Sequence, residues 1–135
     1  MNNTRFSTAL HILTLLGREN GTLLSSEYIA GSINVNPAVV RKEISNLRQF
    51  GLVESKEGKN GGTQLAKAAK NIKLSDVYNA VRASSLLGRS NQPNPLCVVG
   101  KHINKHIDTL YNDAENTMVK QLEKQTLLQF IKQFK

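Results

Sequence analysis

The 135-residue chain predicts a mainly α-helical fold that carries one small β-hairpin and ends in a long helix. Three observations predict it. Apolar residues recur at three- and four-residue spacing through most of the chain, the mark of helices buried on one face. A single glycine-rich stretch, residues 57–62, separates two short runs of strand character. One apolar seam continues from Val99 to Leu122, too long for an ordinary helix of a small domain. Hydrophobic residues make up 39% of the chain, enough for a core, and the length fits one compact domain with an appendage.

Asn3 or Thr4 can cap a first helix whose face is formed by Phe6, Ala9, Leu10, Leu13 and Leu16. Ile12 and Leu15 fall off that face, so this helix is expected to pack on its own domain and on something else. The segment Gly17 to Gly21 ends it. Ser25 or Ser26 caps a short second helix through Tyr28, Ile29 and Ala30, which Gly31 stops. Asn34, Val35 and Asn36 make a turn, and Pro37 opens a third helix at the position where its missing N–H does no harm. Val40, Ile44 and Leu47 form the inner stripe of that helix; Ala38, Arg41, Lys42, Ser45 and Arg48 form its outer face.

Gly51 closes the third helix, and residues 52–56 and 63–65 pair as a hairpin with a flexible tip. Ser75 caps a fourth helix, from Asp76 to about Leu87, with Val77, Ala80 and Val81 inward. Residues 88–95 turn to Gly, Ser, Asn, Gln and Pro and form a loop. Beyond it Val99, Ile103, Ile107, Leu110, Ala114, Met118 and Leu122 align along a helix about 40 Å long. A domain of about 90 residues cannot cover that seam, and a second copy is the simplest cover. Thr126 caps a last short helix with Leu127, Leu128, Phe130, Ile131 and Phe134. The expected division is therefore residues 1–87 as one domain, 88–95 as a loop, and 96–135 as a dimerisation helix with a short C-terminal helix.

The net charge is +8, with 10 Lys or Arg against 5 Asp or Glu in residues 1–75 and 8 against 5 in residues 76–135. A field of that sign draws polyanions, nucleic acid foremost. One cysteine, Cys97, excludes an intrachain disulfide and fits a reducing compartment. The first apolar run, Ala9 to Leu16, is too short to span a bilayer and no cleavage-site pattern follows it, so the expected location is the cytoplasm, with no membrane contact. No glycine-rich nucleotide loop and no nucleophile with a base is present, so an enzyme is not expected.

Two short helices joined by a tight turn, the second basic on its outer face and followed by a basic hairpin, make a winged helix-turn-helix. A helix of about 10–12 Å fits the major groove, where Arg and Lys pair with guanine. The glycines let the hairpin tip approach a phosphate strand, which Lys56 and Lys59 neutralise. The expected DNA-binding residues are Pro37, Ala38, Arg41, Lys42, Ser45, Arg48, Lys56, Lys59, Asn60 and Gly61. The partner is double-stranded DNA.

Residues 36–66, with Gly51-Leu52-Val53 and the Gly61-Gly62 wing as the most specific features and Ile72-Lys-Leu-Ser-Asp-Val77 after them, resemble the Rrf2 family of bacterial transcription regulators. The similarity continues at lower grade through nearly the whole chain. It implies a homodimer with crossing C-terminal helices, the first helix lying on the partner's long helix. It also implies residues 37–42 in the major groove, the hairpin tip at the minor groove, and repression or activation at a palindromic operator, with repression the expected role.

The chain departs from that family in its cysteines. Many members hold an iron–sulfur cluster through three cysteines in the loop before the long helix, and here that loop offers only Cys97. No cofactor is expected. The wing departs as well, with Glu57 before its first glycine and Thr63 after the Gly-Gly pair. His102 and His106 are four apart, the spacing of paired metal ligands on a helix, but they border the seam and are read as packing or surface residues with no metal assigned. Cys97 is either an inert thiol or a candidate sensor. Two alternatives stand beside the site-specific regulator. One is a nonspecific or adaptor DNA-binding protein controlled by a regulatory protein or small effector, and the other is a redox or metal sensor built on Cys97 and the histidines.

Overall fold

A computed structural model describes residues 4–82 and 87–134. The order is α1 (Arg5–Arg18), α2 (Ser26–Ile33), α3 (Pro37–Gln49), β1 (Val53–Lys56), β2 (Gly62–Leu65), a 3-10 turn (Ala69–Asn71), α4 (Leu74–Val81), α5 (Val98–Glu123) and α6 (Leu127–Ile131). The fold is mainly helical with one antiparallel hairpin, in which Val53 pairs with Leu65 and Lys56 with Gly62. Leu24 adds a further bridge to Thr63 on the hairpin's other side.

Local signals set most of the ends. Ser25 Oγ accepts from the Tyr28 amide, and Asn36 Oδ1 accepts from the Ala38 amide one residue before Pro37 opens α3. Gly51 takes φ 75° and turns the chain from α3 into β1, where any Cβ would be strained. Thr4 stands at the start of α1, but its side chain caps nothing, and Asn3 lies outside the described residues.

Three local expectations are corrected. Gly31 does not stop α2; the helix runs on to Ile33 and ends at Asn34, which adopts the left-handed conformation at φ 66°. Ser75 does not cap α4, because it is buried inside the helix, while Asp76 accepts from the Lys73 amide and so marks the true start. That helix stops at Val81 rather than near Leu87, with Arg82 already in extended conformation; residues 83–86 lie outside the described residues.

The core gathers Ala9, Ile12, Leu13 and Leu16 of α1 against Ile29, Val40, Ile44, Leu47, Leu52, Ile72 and Val77. Ile12, expected off the main face, is fully buried there, so α1 is the central helix, enclosed from several sides by its own domain. The last helix was grouped with the long one by sequence, yet its Leu127 and Ile131 belong to this same core. The Leu127 amide donates to the Ile72 carbonyl and the Leu74 amide to the Gln125 carbonyl. Gly17, a helix breaker by sequence, lies within α1 and leaves room for the side chain of Ile131, which a Cβ would strike.

α5 behaves differently. None of its 26 residues is buried. Tyr111, Glu115, Met118 and Leu122 turn toward the domain and are half-buried, whereas Val99, Leu110 and Ala114 are exposed and Ile103 is 37% exposed. The helix is fastened to α4 by polar contacts: the Tyr78 hydroxyl donates to Glu115 at 3.1 Å, and Arg82 pairs with Glu115 at 3.3 Å.

Candidate nucleic-acid interface

The amphipathic pattern of α3 presents its polar side outward. Val40, Ile44 and Leu47 are buried, while Ala38, Arg41, Lys42 and Arg48 are exposed and Pro37 and Ser45 are half-buried. Arg41 reaches across to α2, where its guanidinium meets Glu27 at 3.1 Å in a pair open to solvent on both sides. Such a pair is worth about 0–1 kcal/mol, so a phosphate or base edge can displace it. Lys42, Arg48, Lys56 and Lys59 have no side-chain partner among the described residues.

The hairpin carries further exposed cations. Lys56 ends β1, and Lys59 and Asn60 sit exposed at the tip, Asn60 at φ 69° and Gly58 at φ 92°. Gly61 is half-buried; its amide donates to the Gly58 carbonyl, and a side chain there would collide with the Lys56 carbonyl. Its part is to close the turn that presents Lys59. Glu57 has no ion-pair partner among the described residues, so it does not hold Lys59 down.

The anchoring of α3 was not foreseen. Glu43, on the inner side of α3, is only 6% exposed. Arg5 at the start of α1 grips it with two nitrogens, Nε to Oε1 at 3.1 Å and Nη2 to Oε2 at 3.3 Å. Asn46 donates to the same carboxylate and to the Ala80 carbonyl of α4, at 3.0 and 2.8 Å. A buried carboxylate is tolerable because it is paired and hydrogen-bonded, and the result ties α3 to both neighbouring helices. The signal was present: Glu43 falls between Val40 and Leu47 at helical spacing, a position that faces inward. Tyr28, next to Glu27 on α2, is 54% exposed.

A family model described as Rrf2, iron-dependent transcriptional regulator, matches residues 2–133. The chain belongs to the Rrf2 family. It is a transcriptional regulator with a DNA-binding winged-helix fold, and its relatives are regulators rather than enzymes. YwnA of Bacillus subtilis (strain 168), named as an HTH-type transcriptional regulator, is 38% identical over 128 residues, covering 94% of each chain. A solved structure described as a DNA binding protein is 34% identical with a TM-score of 0.76, over 94% of this chain and 98% of that one. CymR, the global cysteine regulator of Bacillus subtilis, shares the fold at a TM-score of 0.73 and 21% identity, over 100% of this chain and 98% of its own.

The iron in the family's description does not fit an iron–sulfur site here. Cluster ligation needs several thiolates, and this chain has the single Cys97, exposed at the N-terminal boundary of α5. Among the described residues no three His, Cys, Asp or Glu side chains gather as a metal site. His102 and His106 are both exposed on α5, not packed within the chain. No helix among the described residues is long and apolar enough to cross a membrane.

Proposed function

We propose that this Rrf2 regulator acts in the cytoplasm as a homodimeric repressor at a palindromic operator, placing α3 in the major groove and the wing along the flanking strand. The observation that carries the DNA reading is the set of exposed, mostly unpaired cations: Arg41, Lys42 and Arg48 on α3 and Lys56 and Lys59 on the hairpin. Cations without protein partners are free to neutralise phosphates, and the guanidinium is the group best shaped to read guanine. Ala38, Pro37 and Ser45 lie on the same helix α3, and Asn60 and Gly61 shape the tip. The dimer reading rests on the exposed apolar residues of α5, Val99, Ile103, Leu110 and Ala114, with Ile107 and Met118 beside them.

Genomic fragments retained by the protein are to be sequenced, and the recovered site competed against random genomic DNA. A site-specific regulator prefers its operator by about 10³ or more, and the recovered sequence has two-fold symmetry. Equal affinity for random fragments would establish instead a nonspecific or adaptor protein.

A further inference from the structure

Of the three histidines, His11 is engaged, its Nε2 lying 2.9 Å from Ser32 Oγ. His102 and His106 are not. Both are exposed on α5, and among the described residues neither imidazole has a hydrogen-bond or ion-pair partner. Side chains four apart on a helix have Cβ atoms about 5–6 Å from each other, so two imidazoles one turn apart can reach a single ion, as helix-borne His pairs do in zinc sites. Imidazole nitrogen suits Zn(II), Cu(II) and Ni(II). Two ligands alone leave the tetrahedral shell of zinc half-filled.

The geometry of α5 supplies the other half in the homodimer, on which this inference rests. At about 100° per residue, Val99, Leu110, Ile103 and Ala114 fall within about 60° of one another, and His102 and His106 lie together along one flank of that stripe. The exposed stripe spans residues 99 to 114. In a two-fold contact the same surface meets itself, so the axis crosses the stripe near its middle, which is close to residue 106. His106 then meets its own counterpart, with His102 one turn away. A two-fold that passes between two crossing helices and bisects their crossing angle keeps both flanks on the same side.

We propose that His102 and His106, with the same pair from a second copy, form a four-imidazole site for one divalent transition ion of the Zn(II) class per dimer. Such an ion would bridge the two long helices and make their crossing depend on metal. It asks nothing of Cys97 and is distinct from iron–sulfur chemistry.

The test titrates the untagged full chain with Zn(II) alone by calorimetry, with sedimentation equilibrium in the same buffer. One zinc per two chains is expected. The H102A/H106A double variant, altered only at exposed positions, should keep the fold and lose affinity by about 100-fold or more, since even losing a group that merely orients a ligand costs 10–100-fold. A dimer that binds no zinc, binds one ion per chain, or binds it unchanged in the double variant overturns the site and leaves the dimer standing. A 14.9 kDa species both with and without zinc overturns the dimer reading, and the shared site with it.

Discussion

At the scale of single residues, the recognition helix separates two kinds of cation. Arg41 is paired with Glu27 in a contact open to solvent, whereas Lys42 has no side-chain partner among the described residues. Arg41→Ala is expected to lower operator affinity by about 1–3 kcal/mol and to relax preference at one base pair; Lys42→Ala should weaken operator and random DNA alike. Fluorescence anisotropy on operator and scrambled duplexes checks both, and a parallel loss on the two duplexes for Arg41→Ala would reduce it to a phosphate contact. On the wing, Lys59 has no ion pair with Glu57 and is available to a phosphate in each half-site. Replacing it with Ala in both subunits removes two contacts, so the slope of log K against log salt should fall by about 1.8. An unchanged slope would leave Lys59 a solvated charge.

At the scale of elements, the join between α4 and α5 is polar and titratable. Burial raises the Tyr78 phenol above its ordinary value of 10.0, and Glu115 adds to the rise by accepting its hydrogen bond and by its negative charge, while Arg82 acts in the opposite sense. Below pH 10 the phenol is protonated whether the chain is folded or not, and the contact is at full strength. As pH climbs past 10.0 the unfolded chain releases the proton first, so the stability from this contact declines until the raised folded value is passed. Tyr78→Phe should therefore cost about 1.5–3 kcal/mol at neutral pH, the worth of a hydrogen bond to a charged group, and should flatten the alkaline end of the stability curve. Urea unfolding at pH 7 and above pH 10 measures this. Loss of the same stability at both pH values in wild type and variant alike would show that the phenol's proton is not engaged.

At the scale of the whole molecule, the proposed homodimer rests on the stripe on α5. Leu110 is 62% exposed in the single chain, whereas Ile107 is half-buried against its own domain. Leu110→Asp is thus the cleaner probe: it should leave helix content and core stability unchanged while placing an unpaired charge in the dimer contact, at a cost of several kcal/mol. Sedimentation equilibrium should move from twice the chain mass to 14.9 kDa. If the wild type already sediments at 14.9 kDa, α5 does not pair at these concentrations. Protein purified without oxygen is expected to be colourless and free of stoichiometric iron and sulfide, because one thiol cannot hold a cluster. A visible absorption band with iron and sulfide would contradict this.

What the sequence determined by itself was whatever acts within a turn or two of chain. Pro37 after Asn36 starts the recognition helix, Gly51 ends it, the glycine-rich residues 57–62 turn the hairpin, and the spacing of Val40, Ile44 and Leu47 sets which side of α3 faces out. The long apolar seam was equally plain, as was the absence of enough cysteines for a cluster. Tertiary structure decided everything that depends on a distant partner. Glu43 can be buried only because Arg5, 38 residues away, pairs with it. Gly17 is a packing position rather than a break because Ile131 returns from the other end of the chain. Ser75 is buried instead of capping, and α6 joins the N-terminal core instead of following α5, because Ile72 and Leu74 exchange backbone hydrogen bonds with Leu127 and Gln125. Local propensity is worth a fraction of a kcal/mol per residue, while burial of one Leu or Ile is worth about 1.5–3 kcal/mol, so where the two compete the distant contact prevails.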